Sequence, residues 1–327
     1  MTTKKTRKIN RPYLSIPITL DEVISSLVNT DDPVSSSHLA ELSDLSSESF
    51  LKFRDAWNEL GPERRYNIIL RLKDLAEDNV ELNFDVILKL GLDDEDPQIR
   101  LVSINGLWEN RQNWLQRKLI AIALEDESEE VRICSVQALE RFCLDAELNN
   151  KQDAKQQLAN ILLSIFNNPD KSNELRRRSL EAVSPLGLAE VHTAIKEAFQ
   201  NDNREFKLSA VYSMGVNCNP YWLTILMPQL QNNDAELRYE AACACGEIGE
   251  EDAVNALIPL LEDDDRDVQL AAIEALGKIG GKESKEALNS LLESPDELLR
   301  DAAQQSVYEL ELYHDPFSPE ILELDKE

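Results

Sequence analysis

The sequence is poor in histidine, cysteine and aromatic rings. Its three histidines, His38, His192 and His314, stand far from one another, so paired-histidine metal motifs are excluded. The five cysteines, Cys134, Cys143, Cys218, Cys243 and Cys245, are odd in number and scattered. That pattern argues against a disulfide framework and for free thiols in a reducing compartment. Cys243 and Cys245 stand two apart on a helical pattern and point to different faces, which excludes a metal pair. No apolar run approaches the length of a membrane-spanning helix. The opening "MTTKKTRKINRP" has charge but no apolar stretch behind it, unlike a secretory signal. There is no glycine-rich phosphate loop, GxSxG elbow or HExxH. The expectation is a cytoplasmic chain without membrane span, metal, cofactor or standard catalytic machinery.

Aromatic residues make up 6% of the chain and hydrophobic residues 42%, so the core must be built from Leu, Ile, Val and Ala, a composition that leans helical. Basic residues are outnumbered 34 to 62, giving a net charge of −28, which repels nucleic acid from the body of the protein. The first eleven residues reverse this, with Lys4, Lys5, Arg7, Lys8 and Arg11 and no acid. They are expected to form a disordered tail that folds back on the acidic body, the alternative being a docking arm.

What the sequence does contain is a repeat. An apolar–polar pair recurs at Ile99-Arg100, Val131-Arg132, Leu175-Arg176, Phe206-Lys207, Leu237-Arg238, Val268-Gln269 and Leu299-Arg300, with a spacing of 31 residues over the last five copies and wider spacings of 32 and 44 before them. Four residues before the second member stand Asp96, Ser128, Ser172, Asn203, Asp234, Asp265 and Asp296, all good helix N-caps. Three after it comes a small-residue column, Ser103, Ser135, Ser179, Ala210, Ala241, Ala272 and Ala303, where another helix must pass close. Seven after it comes an apolar column from Leu107 to Val307. A first helix precedes each cap, with Leu92, Leu124, Phe199, Leu230, Leu261 and Leu292 on one face. Gly249 and Gly280 stand where helices should end, and Pro228 and Pro259 should bend or break two of the first helices. The four acids Glu262 to Asp265 then read as a turn capped by Asp265, since a calcium loop would need a central glycine and a distal glutamate. Upstream, Thr19, Ser37 and Ser47 are expected to cap helices.

The stretch "ALIPLLEDDDRDVQLAAIEALGKIGG" resembles a HEAT repeat, of the short bacterial form also called the phycobilisome-lyase HEAT-like repeat. The resemblance spans about residues 85–310. It implies an all-α, right-handed α-solenoid of antiparallel helix pairs, with about seven repeats plus caps, whose second helices line a concave face that binds partners. The expected organisation is a basic tail (1–12), an N-terminal helical cap with a degenerate repeat (13–84), the solenoid (85–312) and an acidic C-terminal tail (313–327). The HEAT-type hydroxylases hold iron with repeated His-Glu pairs, and His38, His192 and His314 are followed by Leu, Thr and Asp instead.

The expected function is a non-enzymatic protein-binding scaffold or adaptor, using the concave face and an acidic edge. The alternative implied by the resemblance is a bilin or cofactor lyase, or a chaperone for a cofactor protein. Two columns are expected to ridge the concave face, one running from Asn105 to Gln305 and the other from Glu109 to Glu309. The candidate partner-binding residues there are Asn105, Trp108, Gln137, Arg141, Glu181, Tyr212, Glu274 and Lys278, with aromatic Trp108 and Tyr212 as anchors. The turn acids Asp93, Asp94, Glu125, Asp126, Asp263 and Asp264 are expected to stack into a negative strip that draws positive charge, from a basic partner protein or from Lys4 to Arg11. The polar run "FCLDAELNNKQDAKQQ" is expected to be a loop inserted between repeats.

Overall fold

Helix boundaries follow from short polar side chains at the turns. In the computed structural model, which describes residues 18–29 and 33–314, Asp96, Ser128, Ser172, Asn203, Asp234 and Asp265 each accept a hydrogen bond from a backbone amide of the first turn they precede. Asp296 does the same for the amide of Leu298. Each such cap stabilises its helix by about 1 kcal/mol. The described residues are helical throughout, with no strand. They fall into two compact units, 1–112 and 113–327.

The first unit holds α1 (Leu20–Val28), α2 (Ser36–Ala40), α3 (Ser47–Trp57), α4 (Pro62–Asp78), α5 (Asp85–Gly91) and α6 (Pro97–Gly106). Thr19 caps α1 in a reciprocal capping box with Glu22. The caps of α2 and α3 are Ser35 and Ser46, not Ser37 and Ser47. In each run of serines the cap is the residue that keeps extended backbone angles, and the following serines are drawn into the helix.

The second unit alternates first and second helices. The first helices are α7 (Asn113–Glu125), α9 (Gln152–Phe166), α11 (Ala189–Phe199), α13 (Leu223–Gln229), α15 (Val254–Leu257) and α17 (Gly281–Leu291). The second helices are α8 (Glu129–Leu148), α10 (Asn173–Val183), α12 (Arg204–Asn217), α14 (Ala235–Ile248), α16 (Arg266–Ile279) and α18 (Glu297–His314). Proline acts as its chemistry requires. Pro228 sits inside the short α13, and Pro259 ends α15 after four residues, the chain continuing as a 3-10 turn over Ile258–Glu262. Gly249 and Gly280 end α14 and α16 with φ of 74° and 72°.

The basic anchor column has a structural role. Arg100, Arg132, Arg238 and Arg300 each turn back to donate to the backbone carbonyl six residues earlier, at 2.8, 2.5, 2.7 and 3.0 Å. Arg176 reaches the carbonyl of Phe166 at 2.8 Å. The side chain so satisfies carbonyls left open where the first helix or its turn ends. The small column is buried in full at all seven positions. It marks the crossing of the two helices within a repeat: a methyl added to Gly91 would lie 2.1 Å from Ser103 Oγ, and Ser135 Oγ donates to Leu119 O at 2.6 Å.

A second close contact, between successive second helices, has no counterpart in the sequence reading. A methyl on Gly215 would lie 2.8 Å from Ala244 Cα, and one on Gly246 would lie 2.8 Å from Ala275 Cα. One on Gly277 would lie 2.8 Å from Ser306 Cβ. Here backbones touch, and only glycine fits.

Two further expectations fail. The run Phe142–Gln157 is no loop. It lengthens α8 to 20 residues and α9 to 15, because Leu139, Phe142, Cys143 and Ala146, and then Leu158, Ala159 and Leu162, keep a buried stripe going through the polar composition. Leu124 is 40% exposed, since α7 turns that face outward at its last residues. The basic tail, Lys4 to Arg11, and residues 315–327 lie outside the described residues.

Candidate functional site: a carboxylate-lined groove on the second helices

A helix that packs its +3 and +7 columns inward presents the opposite rows outward, and on α8 to α16 those rows form a groove. It consists of two adjoining hollows, of about 420 and 810 Å³, which share Glu236 and Glu240. The four rows that line it are spaced three or four residues apart along each helix. Glu205 and Glu236 come from the first turn, Arg177, Ser209 and Glu240 from the next, and Glu181, Tyr212 and Glu274 from the third. Glu140 closes one end from the fourth row.

The charges in this groove are unevenly satisfied. Glu181 is held on several sides: Arg178 Nη1 lies 2.8 Å from one oxygen, and Ser209 Oγ donates to the other at 2.6 Å. Arg177 pairs with Glu174 and donates to Ser209 Oγ at 2.9 Å. Glu140 and Glu240 make no hydrogen bond or ion pair with any described residue. Burial, reinforced by the Glu181 charge, raises the Glu140 carboxyl above the usual range. Burial raises Glu240 likewise, helped by Glu181 and Glu236. The Tyr212 hydroxyl is pushed up to about 12 by burial and by Glu140, Glu181 and Glu240. Its ring is nevertheless 39% exposed, and the neighbouring Tyr239 ring 38%. The groove therefore offers two aromatic rings together with two carboxylates, Glu140 and Glu240, that lack cations. Cys243, on the same face, is pushed up to about 11 by burial and by Glu240, so it stays a thiol near neutral pH.

Of the residues singled out from the sequence, Gln137, Glu181, Tyr212 and Glu274 line the groove. Lys278 is engaged by Glu247 at 2.7 Å and Glu274 at 2.6 Å. Arg141 is half-buried with its guanidinium 5.2 Å from the Phe142 ring centre. Asn105 and Trp108 belong to the first unit, where Asn105 is exposed and Trp108, 52% exposed, lines a hollow with Val80. The sequence reading missed Glu140, Arg177, Glu236, Tyr239 and Glu240. The signal was present: rows three, four and seven residues before the Tyr212 column, and three after it, fall on the same face.

The acidic turns are not a bare negative strip. In the second unit Arg238 makes a bidentate pair with Asp263, both bonds 2.7 Å, and neither side chain is more than 16% exposed. Arg204 grips Asp234 and Glu236 of the next repeat, and Arg266 grips Asp296. These arginines hold Asp263, Asp234 and Asp296 below the usual carboxylate range. In the first unit Arg65 pairs with Asp94 at 2.9 Å and Glu95 at 3.0 Å. Of the turn acids named from the sequence, Asp94 and Asp263 thus carry an arginine partner. Among the described residues no group of three or more His, Cys, Asp or Glu is placed to hold a metal ion, and no helix is long and apolar enough to cross a membrane.

Residues 223–307, from α13 into α18, match the family model of HEAT repeats. No curated protein matches the chain. Among solved structures, a chain of the Kap95p–RanGDP structure is similar over 93% of this chain and 46% of its own length, at 12% identity and a TM-score of 0.53. Importin beta is similar over 89% of this chain and 44% of its own length, at 14% identity and a TM-score of 0.50. The chain thus spans under half the length of each. Human deoxyhypusine hydroxylase aligns over 89% of this chain and 96% of its own, at 16% identity, with a TM-score of only 0.34. The fold is that of a repeat solenoid.

Proposed function

We propose that this HEAT-repeat protein is a non-enzymatic protein-binding scaffold whose second-unit groove takes a basic segment of another protein. The observation that carries the reading is the pair Glu140 and Glu240: half-buried carboxylates, raised by burial and by like charge, with no cation of their own. Basic side chains brought beside each of them relieve the repulsion that both feel from Glu181, and the Tyr212 and Tyr239 rings give methylenes and charge a surface to lie on. The similar Kap95p solenoid also engages a protein, RanGDP. The paired acids of the turns contribute little to this recognition, because their charge is already met by arginine.

Fluorescence anisotropy with a labelled lysine-rich peptide tests the proposal. The peptide should bind at low salt and lose affinity as salt rises, because its ion pairs are screened. Glu140→Gln with Glu240→Gln should weaken binding by about five- to tenfold. A peptide that does not bind, or binds the double variant equally well, overturns the assignment of the groove.

A further inference from the structure

From α10 to α18, the junctions between successive second helices are of two kinds. At α12/α14, α14/α16 and α16/α18 a glycine backbone lies directly against Ala244, Ala275 or Ser306. Opening any of these contacts would give up close backbone packing at the crossing itself, although ion pairs such as Arg204–Asp234, Lys278–Glu247 and Arg266–Asp296 bridge the same junctions toward their ends. The α10/α12 junction breaks the pattern. One repeat before Gly215 stands Ser184, and one repeat before Ala244 stands Ser213, both fully buried. Ser213 Oγ has no hydrogen-bond partner.

This junction also carries polar contacts near both of its ends. Near the helix starts, Arg177 of α10 bonds Ser209 of α12, and Ser209 bonds back to Glu181. Near the helix ends, Asn217 Nδ2 donates to the carbonyl of Ser184 at 2.8 Å, and its Oδ1 accepts from Trp222 Nε1 at 2.8 Å. Groups like these exchange protein partners for water at small net cost, whereas a glycine contact has no such exchange to make.

We propose that the α10/α12 junction is a hinge within the second unit, and that occupation of the groove locks it. The lock follows from where the groove carboxylates sit. Glu140 is on α8, Glu181 on α10 and Glu240 on α14, so a basic segment lying along them ties together helices on both sides of the junction. This coupling rests on the binding reading above; the hinge itself does not.

Double electron–electron resonance on the full chain separates the two claims. Spin labels go on exposed first-helix positions, with Cys134, Cys218 and Cys243 replaced by Ser. The pair Asn160→Cys and Thr224→Cys spans the α10/α12 and α12/α14 junctions. The pair Thr224→Cys and Asn289→Cys spans α14/α16 and α16/α18, both glycine contacts. The first pair should give the wider distance distribution, although each spans two junctions. Equal widths overturn the hinge. Adding the lysine-rich peptide should narrow the first distribution to the width of the second and leave the second unchanged. A peptide that binds by anisotropy and leaves the first distribution wide overturns the coupling. One that does not bind removes the binding reading and the coupling with it, while the contrast between the two pairs still decides the hinge.

Discussion

The turn acids of the second unit and the groove's Glu140 and Glu240 are the same kind of residue and end in opposite electrostatic states. In the turns, an arginine from one repeat meets the acids of the next, as Arg204 meets Asp234, Arg238 meets Asp263 and Arg266 meets Asp296. Those acids hold repeats together. In the groove, Arg177 and Arg178 are taken up by Glu174 and Glu181, and Glu140 and Glu240 are left without a cation. An acidic sequence therefore says little about which acids are available. Availability depends on whether an arginine stands within reach, usually one repeat away.

The largest test of that contrast is Arg238→Ala. It strands Asp263 in a mostly covered site and should cost about 2 kcal/mol in urea unfolding, below the value for a fully buried pair because the turn still borders solvent. A cost under about 0.5 kcal/mol would show the turn pairs to be ornamental surface bridges. Next in size, Asp263→Asn should cost about 1 kcal/mol, while Asp264→Asn, one residue on and exposed, should stay within about 0.5 kcal/mol. Equal effects at the two positions would erase the distinction between structural and surface acids within a single turn.

The smallest effect has the opposite sign. Glu240→Gln should stabilise the protein at neutral pH by a few tenths of a kcal/mol after solvent screening, since it removes a repelled carboxylate. The same logic fixes the pH profile. Glu140 and Glu240 have raised values, so the folded protein holds more protons than the unfolded chain just above the usual glutamate range, and their repulsion lowers stability as pH rises through that window. Asp234, Asp263 and Asp296 have lowered values, so the stability they give is present above the usual aspartate range and is lost as pH falls toward their folded values. The melting temperature should peak on the acid side of neutrality, at about pH 5. A steady fall from pH 7 downward would mean that the groove carboxylates are compensated after all.

Much of the fold was legible because caps and buried columns are local signals. Asp234 and Asp265 announce helix starts, and Ala241 and Ala272 announce a crossing, without reference to any distant residue. The glycine contacts were harder to read. Gly215, Gly246 and Gly277 recur at the 31-residue period, but a glycine inside a helix reads as a weak spot until its neighbour is known. The run Phe142–Gln157 misled through its polar composition, although its apolar residues kept helical spacing. Half of the groove was legible too, through Gln137, Glu181, Tyr212 and Glu274. Of the missing residues, Arg177, Tyr239 and Glu240 lay one turn earlier on the same face, Glu236 two turns earlier and Glu140 one turn later. Pairings such as Arg204 with Asp234 depend on how repeats stack, which no single repeat reveals.

The measurement that bears most directly on the account is a carbon-13 NMR titration of the side-chain carboxyls in the full chain. Glu140 and Glu240 should titrate above the ordinary glutamate range and move back toward it when a lysine-rich peptide is bound, while Asp234, Asp263 and Asp296 titrate below the ordinary aspartate range and do not move. Glu140 and Glu240 titrating at or below the ordinary range in the free protein would contradict the account, because the groove would then already hold the positive charge that its partner is proposed to bring.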